Sequence, residues 1–83
     1  MRTDQNTRSS NNLSAAQTRT FQQFRNRLAK QLPDFRVAWV QPVKDNMIEL
    51  QLESDKLTYR STMKAAKLAV EVEDETGVII ILR

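Results

Sequence analysis

Histidine and cysteine are both missing from this 83-residue chain, and glycine occurs once, at Gly77. Each absence closes a route to chemistry. Proton shuttling near neutral pH usually falls to histidine, while thiol nucleophiles and zinc sites need cysteine or histidine. A loop that cradles phosphate needs several glycines, so that backbone N–H groups can approach the anion closely. The longest uninterrupted apolar run is Val78–Leu82, far short of a membrane span. The N-terminus lacks the basic and then apolar order of an export signal, so a cytoplasmic location is expected. Asn12-Leu13-Ser14 matches a glycosylation sequon, but without export the match is read as chance.

What is present divides at residue 12. Residues 1–12 are almost wholly polar, rich in Asn, Ser and Thr, with no apolar period. Such a stretch buries too little surface to offset its ordering entropy, so a disordered basic arm is expected there. Residues 13–83 are then a single domain, near the lower size limit for a core without disulfides or metal. Charge is also unevenly placed. Met1 to Pro33 carries six basic residues against one acid, whereas Asp34 to Arg83 carries seven against nine. A positive front end on a mildly acidic body suggests an arm that faces a polyanion or docks on its own acids.

Periodicity predicts the elements. A helix is expected from about Ser14 to Gln31, opened by the capping-box sequence Ser14-Ala15-Ala16-Gln17. Phe21, Phe24, Leu28 and Leu32 fall within an arc of roughly 80° at helical spacing, opposite a polar side with Arg19, Arg27 and Lys30. Pro33 ends the helix, because it disfavours helical geometry at the preceding residue. Phe35, Val37 and Trp39 alternate along one segment and Ile48, Leu50 and Leu52 along the next. Gln41-Pro42 breaks the first run and Val43-Lys44-Asp45-Asn46 supplies turn residues, which makes the pair a β-hairpin with those six residues on its apolar face. A second helix is expected to start near Ser54 or Asp55, with Lys56, Arg60, Lys64 and Lys67 as a basic stripe. Leu57, Ala65, Leu68 and Ala69 lie on its apolar side, with Tyr59, Met63 and Ala66 flanking.

Residues 69–73 admit two continuations. The helix can run to Asp74 with Gly77 at its C-cap, or Ala69–Glu73 can form a fourth strand before Val78–Leu82. The helix is preferred, although the acids of residues 71–75 sit badly at the negative end of a helix dipole. Val78–Leu82 is a strand, apolar on both faces. The expected fold is therefore α+β, in the order α-β-β-α-β. Its small antiparallel sheet has three strands, or four on the second continuation, with two helices packed on one face.

No catalytic, cofactor or metal assignment follows. Ser61 with Lys64 lacks supporting residues, and the acids of 71–75 lack the ligand spacing of a calcium loop. A KH-type domain needs a G-x-x-G loop and an RNA-recognition motif needs its aromatic and glycine signature, and neither is present. The leading functional expectation is a non-catalytic domain that binds nucleic acid, or a nucleic-acid-containing particle such as the ribosome, with little sequence specificity. Arg8, Arg19, Arg27, Lys30, Lys56, Arg60, Lys64 and Lys67 would contact phosphate. The alternative is a protein-interaction or homodimerising module that uses an outer sheet strip of Ala38, Val40, Ile79 and Ile81. No membrane or small-molecule partner is expected.

Overall fold

The computed structural model describes residues 13–83, so the expected arm and Arg8 lie outside the described residues. The elements are α1 (Ala15–Gln31), β1 (Phe35–Lys44), β2 (Met47–Ser54), α2 (Tyr59–Thr76) and β3 (Ile79–Leu82). This is the expected α-β-β-α-β order. Residues 69–73 belong to α2, and no fourth strand occurs among the described residues.

Helix α1 begins as its sequence indicates. The Ser14 hydroxyl accepts from the Gln17 backbone N–H at 3.1 Å, and the Gln17 side chain accepts from the Ser14 N–H at 2.8 Å. Gln17 does more than cap. It is buried, and its Nε2 donates to the Lys44 carbonyl at 2.6 Å, tying the start of α1 to the hairpin turn. Helix α2 starts later than Ser54 or Asp55. Its cap is Thr58, which exchanges reciprocal hydrogen bonds with Ser61. Leu57 and Lys56 therefore precede the helix, and Leu57 is exposed rather than packed. Gly77 closes α2 in the left-handed region at φ 79°, where a residue with a Cβ is strained.

The sheet is mixed, mostly antiparallel, in the order β1-β2-β3. β1 and β2 form the expected antiparallel hairpin, but β3 runs parallel to β2, pairing Met47 with Ile79 and Leu50 with Leu82. Lengths explain the direction. Eighteen residues of α2 rise about 27 Å, which retraces the eight residues of β2 at about 3.3 Å each. The chain thus returns to the start of β2, where the Ile79 N–H donates to the Asn46 carbonyl at 2.7 Å. A helix that retraces β2 supplies the crossover connection that parallel pairing needs, and β3 pairs parallel to β2.

The core lies between both helices and one sheet face. It includes Phe24 and Leu28 of α1, Val40 of β1, Ile48 and Leu50 of β2, Leu68 and Val72 of α2, and Ile80 of β3. Two sequence expectations change here for one reason. The register of β1 against β2 slips between Val37 and Trp39, so one extra residue, Ala38, is accommodated as a bulge. Past that point the faces exchange. Val40, expected on the outer strip, points into the core with 4% of its surface exposed. Trp39, expected in the core, lies half-buried on the outer face, and its indole N–H donates to Gln51 Oε1 at 2.8 Å. Pro42 does not end β1. It sits where β1 forms a sheet edge, so its missing N–H breaks no ladder, and a second register shift follows it.

Candidate interaction surface

Two surfaces collect the residues singled out by sequence. The first is the outer sheet face. Ile79 and Ile81 lie on it half-buried, as expected, and Ala38 is exposed at the bulge. Val40 is absent from it for the reason given. The face is not an unbroken apolar strip, because Glu49 of β2 is paired across from Ile81. Glu49 accepts from the Gln41 side chain at 2.7 Å and meets Arg83 at 3.0 Å. Arg36 approaches Glu53 at 3.5 Å on the same side. Polar cross-strand pairs thus occupy the face that the two isoleucines share.

The second surface is the outward side of α2, which is built differently. At 100° per residue the buried Ala65, Leu68, Ala69 and Val72 define one stripe, and Tyr59, Met63, Ala66 and Val70 define another about 140° away. The second stripe is open to solvent: Tyr59 is 82% exposed, Met63 53% and Val70 55%. A shallow groove runs along it, lined by Arg60, Met63, Lys64, Ala66, Lys67 and Val70. The spacing 59-63-66-70 alternates four and three, the period of a helix–helix seam. Sequence inspection placed Tyr59, Met63 and Ala66 as flanks of the core stripe. The available signal was that spacing, continued to Val70.

The cations sort by partner. Arg27 of α1 is engaged within the fold: it hydrogen-bonds Glu75 and lies 3.8 Å from Glu71, joining α1 to α2. The Glu75 hydrogen bond raises the Arg27 guanidinium above its ordinary value. Desolvation opposes the shift, and the charges of Glu75 and Glu71 add to it. A raised cation stabilises the fold at every pH below its ordinary range, and that contribution is lost only as pH climbs through the raised value. The acids at 71 and 75 are thus engaged by α1 itself. Arg19 and Lys30, also on α1, and Arg60, Lys64 and Lys67 on α2 form no ion pair among the described residues. Lys56 stands apart in the turn before α2, where its N–H donates to the Ser54 hydroxyl at 3.1 Å.

Charge along α2 runs against the helix dipole. Arg60, Lys64 and Lys67 fill its N-terminal half and Glu71, Glu73, Asp74 and Glu75 its C-terminal end. The first turn holds no acid and the last no base. Since the N-terminal end of a helix is positive, this order costs stability within the chain. Asp74→Lys is therefore expected to stabilise the isolated domain by about 0.3–1 kcal/mol, read from the urea midpoint at concentrations where the chain is monomeric. A lower midpoint would show that Asp74 has a favourable role within the fold.

Other chemistry finds little footing. Ser61 Oγ is held by Thr58, donating to its carbonyl and accepting from its N–H at 3.0 Å each. Among the described residues no cluster of three or more acidic side chains is arranged to hold a metal ion, and no helix is long and apolar enough to cross a membrane. Comparison of the chain with models of protein families, with curated proteins and with solved structures finds no match in any of the three.

Proposed function

We propose that this chain is a non-catalytic protein-interaction domain whose docking surface is the outward face of α2. The observation that carries this is the exposure of Tyr59, Met63 and Val70 along one stripe of a helix whose opposite stripe is buried. Large apolar side chains aligned at 4-3-4 spacing, bordered by cations, have the form of a helix-docking seam. The occupant that fits is a helix with an apolar stripe of its own and acids to lie beside Arg60, Lys64 and Lys67. Burial of the stripe supplies affinity, and the charges supply orientation.

A second reading is favoured by one observation. Arg60, Lys64 and Lys67 lack ion-pair partners among the described residues, and Tyr59 beside them is 82% exposed, as a base-stacking ring would be. The same face would then bind single-stranded nucleic acid without sequence preference. Arg19 and Lys30 of α1 would be available to extend that contact.

One titration separates the two. The full chain, kept dilute, is mixed with a labelled amphipathic peptide of leucine heptads and glutamates, with a polyglutamate of equal charge, and with a single-stranded oligonucleotide. Protein docking expects binding of the amphipathic peptide, little binding of polyglutamate, and at least about tenfold weaker peptide binding for Met63→Ser. Equal binding of peptide and polyglutamate would overturn it. Nucleic-acid binding expects a log–log salt slope near −2 for three phosphate contacts, reduced in Lys64→Gln/Lys67→Gln. An oligonucleotide that fails to bind at low salt removes the second reading.

A further inference from the structure

We infer that the occupant of the α2 face is a second copy of this chain, packed with the two α2 helices antiparallel across a twofold axis near Ala66. This inference rests on the docking face proposed above and names its partner. Three features of the face converge on it, and the first is charge order. The two ends of α2, with Arg60 near one and Asp74 near the other, are complementary only when a second copy is reversed, while Lys64 and Lys67 lie next to the axis and meet no acid of that copy. A parallel pair sets Arg60 beside Arg60, whereas an antiparallel pair sets it beside the second copy's Asp74.

The second feature is shape. Ala66 sits mid-stripe, and a small residue at the crossing lets two helices approach closely. With Ala66 over its counterpart, Met63 comes against the second copy's Val70, so these two side chains, both exposed in the monomer, cover one another. The surface is isologous, as twofold pairing requires.

The third feature is the unfavourable order of charge along α2 described above. A helix with basic residues at its positive end and acids at its negative end works against its own stability. An antiparallel neighbour offsets that cost, because each charged end then lies against the opposite end of another helix. Asp74 has no ion pair among the described residues, so its charge is available to the second copy.

One helix about 27 Å long makes a small interface, at the low end of specific contacts, so association at micromolar or weaker affinity is expected. The test is sedimentation equilibrium of the full chain from about 10 μM to about 1 mM, with folding of each variant followed by circular dichroism. The parent is expected to reach twice the chain mass. Met63→Glu, at an exposed site, should keep the fold and weaken association at least about tenfold. Arg60→Glu and Asp74→Arg should each weaken it about threefold to tenfold, and the two together should restore it. Residues 60 and 74 lie about 21 Å apart along one helix, so recovery in the double variant reports contact between chains.

A chain that stays monomeric throughout overturns the second copy. The docking face itself is judged by its binding of the leucine–glutamate peptide, so the two failures are told apart. A dimer that Met63→Glu leaves unchanged, or a double variant weaker than both singles, places the contact elsewhere and also overturns the inference.

Discussion

Phe24→Ala is expected to remove about 3–5 kcal/mol of stability. Phe24 is fully buried where α1 meets the sheet, and it is among the largest such side chains in the core. Truncation loses both the transfer free energy of the ring and the packing around the cavity it leaves. The domain has little to spare. Some seventy residues at about 0.05–0.15 kcal/mol each give a total of roughly 4–10 kcal/mol. The variant should therefore be largely unfolded at moderate urea, where the parent is folded. Helix α1 should melt with the rest, since a helix of this length is marginal without its docking face. A midpoint unchanged within error would show that α1 does not stabilise the sheet.

Val40→Asp and Ala38→Asp, only two residues apart, should differ by about 3 kcal/mol or more. Val40 lies in the core with its side chain enclosed, so a carboxylate there loses its hydration without a partner. Ala38 is the exposed residue of the bulge, where the same carboxylate stays in water. A hairpin alternating without interruption from Phe35 to Val40 places positions 38 and 40 on one face and expects the two variants to behave alike. Urea denaturation of both decides between the two registers. Equal destabilisation would remove the bulge, return Val40 to the outer strip, and reopen the sheet face as an interface.

These two variants mark where sequence patterning stopped being sufficient. Alternation located β1 and its partner β2, yet it could not register one inserted residue, because Ala38 is apolar and leaves the pattern outwardly intact. The slip appears only against β2, where Val37 faces Leu52 and Trp39 faces Gln51. Direction of β3 was hidden for a similar reason. Nothing within Val78–Leu82 encodes parallel or antiparallel; the length of α2 sets it. The start of α2 was displaced because Ser54, Asp55 and Thr58 are all competent caps. Thr58 has Ser61 three residues on to return the hydrogen bond.

The candidate surface was legible in part. Arg60, Lys64 and Lys67 read as one stripe and lie as one stripe. Arg27 read as a free cation on the polar side of α1, but it bridges to Glu71 and Glu75, residues 44 and 48 positions away. Lys56 read as part of the stripe and lies in the preceding turn. The apolar seam of Tyr59, Met63, Ala66 and Val70 was visible as separate residues. It became a surface only when the other side of α2 was seen to fill the core completely, leaving these side chains without cover.

By itself, the sequence left residues 69–73 open between helix and strand, and with them the Gly77 stop. It determined the kind and order of the elements outside 69–73, the cap of α1 and most of the core. These are local properties, set by the period of apolar residues and the chemistry of a few capping positions. It also determined that histidine, thiol and glycine-loop chemistry is missing. Tertiary structure alone decided the parallel pairing of β3, the face on which Val40 and Trp39 reside, the capture of Arg27 by α2, and which stripe of α2 stays open. Each of these depends on which distant residues come to lie opposite one another. A one-residue slip or one helix's length resets that without changing any local pattern.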